Sequence, residues 1–311
     1  MSEISFYQNS FLSADGHTRV QYYVWEPSGT PRGIIQISHG MCEYITRYED
    51  WARRFAEAGF IVCGNDHLGH GKTAPDEEEL GYTAPRRGAD FLVEDVHTLS
   101  HLMKTEHEGL PLILYGHSMG SFVAREYLTR YGDGLAAAVI SGTAGPGAPT
   151  GIAKMLAHFI AKVKGNHHRS KLLLKLSMGD NNKRFKEEKS SQSWLTRDPE
   201  LREKYKEDPL CRFIFTTAGY ETLFSLLHAV SRRDWAKKVP KTLPVLLLSG
   251  DMDPVGNYGK GVRKVYERLL KAGCERVTLK LYPDARHEPH NETNRDEVFS
   301  DLIAYFEEVL V

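Results

Sequence analysis

Three short stretches of this chain carry side chains whose types and spacing could do chemistry together. In "GHSMG" (residues 116–120) Ser118 sits between two glycines in a G-x-S-x-G pattern. A serine hydroxyl is a weak nucleophile at neutral pH and needs a base beside it. In "LYPDARHEPHNE" (residues 281–292) His287 and His290 offer imidazoles. In "LLLSGDMDPVG" (residues 246–256) Asp251 and Asp253 offer carboxylates that could hold an imidazole in one tautomer. Taken together, they could make a nucleophile, a base and an acid for acyl transfer.

Context gives each stretch its meaning. Small residues alone would let a strand and a helix pack closely. Here, however, "LPLILYG" reads as a strand before Ser118, and an amphipathic pattern follows it, which is the strand–turn–helix setting that exposes a nucleophile. His287 lies closer than His290 to the end of the last apolar run and is the better base, with His290 read as a loop histidine. The "HEPH" spacing is not that of a zinc H-E-x-x-H helix. Either aspartate, Asp251 or Asp253, follows a strand and either could be the acid; either could also simply cap a turn. The order Ser118, Asp, His287 is the order expected for an α/β-hydrolase. An oxyanion site needs two N–H donors. Met119 follows the nucleophile, and Met41 stands in the loop after "GIIQISHG". Losing one such donor costs about 3 kcal/mol of transition-state stabilisation.

The elements that must position these residues are legible as runs. "TRVQYYVWEP" (18–27) alternates as a half-buried strand and is expected at an antiparallel edge, paired with residues near 4–12. Segments 33–40, 60–66, 110–116, 135–142, 243–250 and 276–283 are short apolar strands. Helical patterns at 47–60, 89–106, 260–273 and 295–310 alternate with them. Apolar strands alternating with helices predict a mostly parallel sheet covered on both faces. The catalytic groups would then lie beyond the carboxyl ends of the strands, where clefts form. Between about residues 145 and 240 the strand signal disappears. Helical patterns there, one with Met155, Leu156, Phe159, Ile160 and Val163 on a single face, predict a helical insertion. The expected organisation is a core of residues 1–144 and 241–311 with a cap insertion at 145–240.

Composition excludes several classes. Apolar residues make up 41 % and charged residues 26 %, with a net charge of -1, so nothing points to nucleic acid. "MSEISFYQNSFLSADG" has neither the basic nor the apolar region of a signal peptide, and no apolar run has bilayer-spanning length. The four cysteines are scattered and form no CxxC, as free thiols in the cytoplasm would. "DHLGHGKT" (66–73) ends like a phosphate-binding loop, but Asp66 stands where the first glycine belongs. His97 and His101 are spaced for one helix face without a third metal ligand.

With these motifs in place, the sequence resembles the monoacylglycerol lipase and lysophospholipase branch of the α/β-hydrolases, over nearly the whole chain. "ISHGMCEYITRYEDWARRFAEAGFIVCGNDHLGHGKT" (37–73) is similar to that family's first block, and "GHSMGS" to its nucleophile turn. "TRDPELREKYKEDPL" (196–210) resembles its cap signature, the most specific match, while the lysine-rich 154–189 segment matches least. "SGDMDPVG" and "ARHEPHNE" resemble its acid and base blocks. The resemblance implies Asp253 rather than Asp251 as the acid, His287 as the base, oxyanion donors at Met41 and Met119, and a mobile helical cap over an acyl pocket. It implies no cofactor or metal. A lipid monoester such as a monoacylglycerol is the expected substrate, followed by a short-chain carboxylester or a lysophospholipid, with transient contact between the cap and a membrane surface. An aminopeptidase, which would need an acidic subsite for a free amine, and a non-catalytic binding protein are the readings from other classes.

Overall fold

The apolar runs pair into one eight-stranded sheet in the computed structural model, which describes residues 4–147 and 149–310. Its strands are β1 Ser5–Leu12, β2 Arg19–Glu26, β3 Gly33–Ser38, β4 Phe60–Asn65, β5 Leu112–His117, β6 Ala137–Ser141, β7 Val245–Gly250 and β8 Val277–Tyr282. They lie in the order β1-β2-β4-β3-β5-β6-β7-β8. All neighbours from β4 to β8 run parallel, and β1, β2 and β4 are antiparallel. β3 to β7 are buried at every residue, which is why they read as unbroken apolar runs. β2 was expected at the edge. It has a partner on each side, because β4 extends the sheet beyond it and β1 takes the edge.

Nine helices occur among the described residues: α1 Glu49–Glu57, α2 Gly88–Glu106, α3 Met119–Tyr131, α4 Thr150–Lys164, α5 Lys171–Met178, α6 Pro199–Glu207, α7 Thr217–Ser231, α8 Lys260–Lys271 and α9 Arg295–Val309. α1 and α9 cover one face of the sheet with Trp51, Phe55, Val298, Leu302 and Phe306. α2, α3, α7 and α8 cover the other. α1 stops because Gly59, at φ +90°, turns the chain left-handed into β4, a conformation that favours glycine.

Residues 145–240 supply α4 to α7. α7 is seated on the core, with Tyr220, Leu223, Phe224, Leu226 and Val230 buried. α6 escaped the periodicity reading, although its start carries two signals: Asp198 accepts the N–H groups of Glu200 and Leu201, and Pro199 opens the helix. The apolar face expected on α4 is divided. Ala157 and Ala161 are buried and Leu156 and Ile160 half-buried, whereas Met155, Phe159 and Val163 are each about two-thirds exposed at 64–65 %. α4 packs on α7 through its small residues, which leaves the long apolar side chains facing outward.

Candidate active site

Ser118 stands where β5 turns into α3, with φ 52° and ψ -118°. Such a backbone is strained for any residue with a side chain and persists only when its surroundings enforce it. The surroundings are close. A Cβ on Gly120 would lie 2.0 Å from the Ser38 carbonyl oxygen, and one on Gly116 2.5 Å from the Gly120 carbonyl oxygen. The turn therefore presses against the end of β3 with no room for side chains. The Ser118 N–H donates to the Ser141 carbonyl at 3.0 Å, which ties the turn to β6.

His287 arrives from the loop after β8. Its N–H donates to the Trp194 carbonyl at 3.3 Å, and the Glu288 N–H donates to Leu195 at 2.8 Å, so the inserted segment holds this loop. Imidazole Nε2 lies 2.8 Å from Ser118 Oγ, and Nδ1 lies 3.0 Å from Asp253 Oδ1. Asp253, after β7, is wholly buried; it also accepts the Val255 N–H at 2.9 Å and the Ser249 hydroxyl at 3.3 Å. Burial of the His287 ring disfavours its cation, but the Asp253 carboxylate, with Glu288 and Glu43 further off, outweighs this and raises its pKa.

The other candidates are placed elsewhere. Asp251 accepts the Asp284 N–H at 2.8 Å and so joins the two loops instead of touching the imidazole. His290 is buried, stacks on Tyr48 at 4.6 Å, and burial pushes its pKa down to about 3. His97 stacks on Tyr131 at 3.7 Å. In the 66–73 loop the Asp66 carboxylate accepts the N–H groups of Ile45 and Lys72 and fills the space a Cβ on Gly71 would need. The resemblance to a phosphate loop thus ends with the chain's own carboxylate in the cradle.

Met41 and Met119 border the same cavity as Ser118. Met119 is the first residue of α3, so its N–H has no partner within the helix. Among the described residues the Met41 N–H donates to no backbone acceptor. The cavity holds about 390 Å³ and is mostly apolar, with Phe122, Leu176, Leu223, Phe224, Leu227 and Val255 along it.

Sequence reading missed its polar end. Arg47 lies between Glu43 at 2.7 Å and Glu288 at 3.4 Å, and over the Tyr205 ring at 4.8 Å. Both carboxylates border the cavity and are almost fully buried. Burial raises the pKa of both. For Glu43 it wins, and the carboxyl lies above the usual range; for Glu288 the Arg47 charge, His290 and the Asn291 amide hold it below. A charge pair four apart, Glu43 and Arg47 in "GMCEYITRY", was the available signal.

Comparison with known proteins follows the same outline. The family described as "Serine aminopeptidase, S33" matches residues 29–294. The chain is 33 % identical to the monoacylglycerol lipase of Mycolicibacterium smegmatis over 302 residues, 96 % of each chain. It is 33 % identical to the monoglyceride lipase of Homo sapiens over 290 residues, 90 % of this chain and 83 % of the relative. Among solved structures it is similar to a thermostable carboxyl esterase from Bacillus coagulans in complex with glycerol, at 32 % identity and a TM-score of 0.93, covering 99 % of this chain and 100 % of that one.

Proposed function

The chain belongs to the serine aminopeptidase S33 family of α/β-hydrolases, in its monoacylglycerol lipase-like branch, and on that premise we propose that it hydrolyses lipid monoesters such as monoacylglycerols through an acyl-enzyme on Ser118. One observation carries this reading: the hydrogen-bonded series Ser118 Oγ, His287, Asp253 at the rim of an apolar cavity. His287 Nε2 takes the hydroxyl proton as Oγ attacks the ester carbonyl. Asp253 holds Nδ1–H and stabilises the imidazolium. The N–H groups of Met41 and Met119 receive the oxyanion, the alcohol leaves with the proton from His287, and water repeats the cycle to release the acid.

Residues 145–240 form the cap over the acyl chain. Each methylene buried there contributes about 0.8 kcal/mol, or roughly fourfold in kcat/KM. The cap also meets the lipid surface: exposed Ile152, Met155, Phe159 and Val163 on α4 and Leu172 and Leu176 on α5 form an apolar stripe, and Leu176 continues it into the cavity. Lys162 on α4 and Lys171 and Lys175 on α5 stand beside these apolar positions, an arrangement suited to anionic lipid. No helix among the described residues is long and apolar enough to cross a membrane.

A free-amine subsite is disfavoured, since the two carboxylates near Ser118 already share Arg47. The test is fluorophosphonate labelling together with hydrolysis of monoacylglycerols and simple esters of rising chain length. Labelling at Ser118 and a rate that climbs with chain length and then levels are expected. A wild-type protein that takes no label and cleaves no ester refutes the reading.

A further inference from the structure

Gly40 stands between β3 and the Met41 donor, and both peptide units beside it are tied to buried side chains. The His39 Nε2 accepts the His67 N–H at 3.0 Å, so the ring proton sits on Nδ1, which donates to the Gly40 carbonyl at 2.8 Å. On the other side the Gly40 N–H donates to Glu43 Oε1. That carboxylate is itself held by the Tyr48 hydroxyl at 2.9 Å and by Arg47 at 2.7 Å. Space is closed as well: a Cβ on Gly40 would lie 2.6 Å from Glu43 Oε1 and 3.0 Å from Ser118 Cβ.

A trans peptide sends its carbonyl and its N–H in opposite directions. Fixing the Gly40 carbonyl on His39 therefore fixes the Met41 N–H on the opposite side. Glycine has the widest choice of backbone angles, so an untied Gly40 would let that peptide turn over. We infer that Glu43 is a positioning residue for ester hydrolysis: by accepting the Gly40 N–H it prevents rotation at Gly40 and keeps the Met41 N–H aimed at the oxyanion. This inference rests on the Ser118 hydrolase reading and gives Glu43, at the cavity border, a role that runs through the Gly40 peptide.

The role depends on reach, not on charge, and three variants separate the two. Glu43→Gln keeps the acceptor oxygen and loses the charge, so kcat stays within about fivefold of wild type. Glu43→Asp keeps the charge but is one carbon shorter, about 1.5 Å, so it falls with Glu43→Ala, whose kcat drops about 100-fold, as for loss of an oxyanion donor. KM for a soluble ester stays within about threefold throughout, because the ground-state carbonyl makes little use of the donor. An alkyl trifluoromethyl ketone, whose adduct with serine carries the oxyanion, weakens in proportion to the loss in kcat/KM, while a non-reactive ether analogue binds all variants alike. Should Glu43→Ala not fold, the contrast between Gln and Asp decides alone. Wild-type kcat in Glu43→Asp, or a Gln variant as impaired as Ala, overturns the inference. A wild-type protein that neither labels with fluorophosphonate nor cleaves esters removes the underlying hydrolase reading instead, a distinct outcome.

Discussion

At Ser118, geometry converts an ordinary hydroxyl into a candidate nucleophile, and the imidazole beside it sets the working pH. The proposed mechanism needs neutral His287. Because the neighbouring carboxylates raise its pKa above the ordinary 6.5, kcat/KM is expected to fall as pH drops through that raised value and to level off above it. Asp253→Asn removes the principal raising charge, so the acid limb should move to lower pH while the rate drops about 10³–10⁴-fold. Asp251→Asn should leave the limb in place, and a pH–rate series on both variants checks this. The two aspartates show what single residues reveal unaided. Both follow an apolar strand, and nothing in residue type separates them. The difference is directional: Asp253 faces the imidazole while Asp251 accepts a backbone N–H across the loops. Glu43, whose i,i+4 pairing with Arg47 was its one sequence signal, was passed over for a related reason. A carboxylate in a turn reads as solvated, and only the packing of Tyr48, Arg47 and Gly40 around it shows it buried.

Strands were the most legible elements, because burial on both faces leaves no polar alternation to confuse the reading. Helices of the inserted segment were less so. α4 has the periodicity of a core helix, yet it rests on alanines and turns its larger apolar side chains outward. Periodicity reports that a stripe exists, not what covers it. The short helical turn Lys186–Glu188 links this segment to the base loop. Glu188 accepts from both Arg286 guanidinium nitrogens, one at 3.0 Å, and from Arg202, and Arg286 stacks over Phe185. The Arg286 hydrogen bonds, with Arg202, hold the Glu188 carboxyl down to about 2 despite partial burial. A lowered carboxyl pKa contributes stability above its unfolded value and loses it as pH falls through the folded one. The tie should therefore loosen between about pH 4.5 and about pH 2. Amide exchange in residues 186–195 should rise across that window in the wild type. In Glu188→Gln it should already be raised at neutral pH; equal exchange in both proteins would refute the tie.

For the whole molecule, the sheet fixes one rim of loops and the inserted helices close over it, so the proposed lipid-facing stripe and the cavity share a side. Met155→Ser with Phe159→Ser is expected to reduce affinity for phosphatidylglycerol vesicles, read by co-sedimentation, by about 100-fold or more, each lost apolar side chain contributing about 1.5–3 kcal/mol when fully buried. Turnover of a short soluble ester should be unchanged, and undiminished vesicle binding would refute the docking. The contorted backbone at Ser118 has a consequence for durability. Its angles, φ 52° and ψ -118°, suit glycine, and holding serine there costs about 1–3 kcal/mol. Extra chain freedom in the unfolded state takes back only about 0.5–1 kcal/mol for glycine. Ser118→Gly should consequently melt at a higher temperature than its parent while turning over nothing, as differential scanning calorimetry would register. Selection for heat tolerance alone would discard this serine early, and any thermostable library drawn from this chain needs an activity screen to keep it.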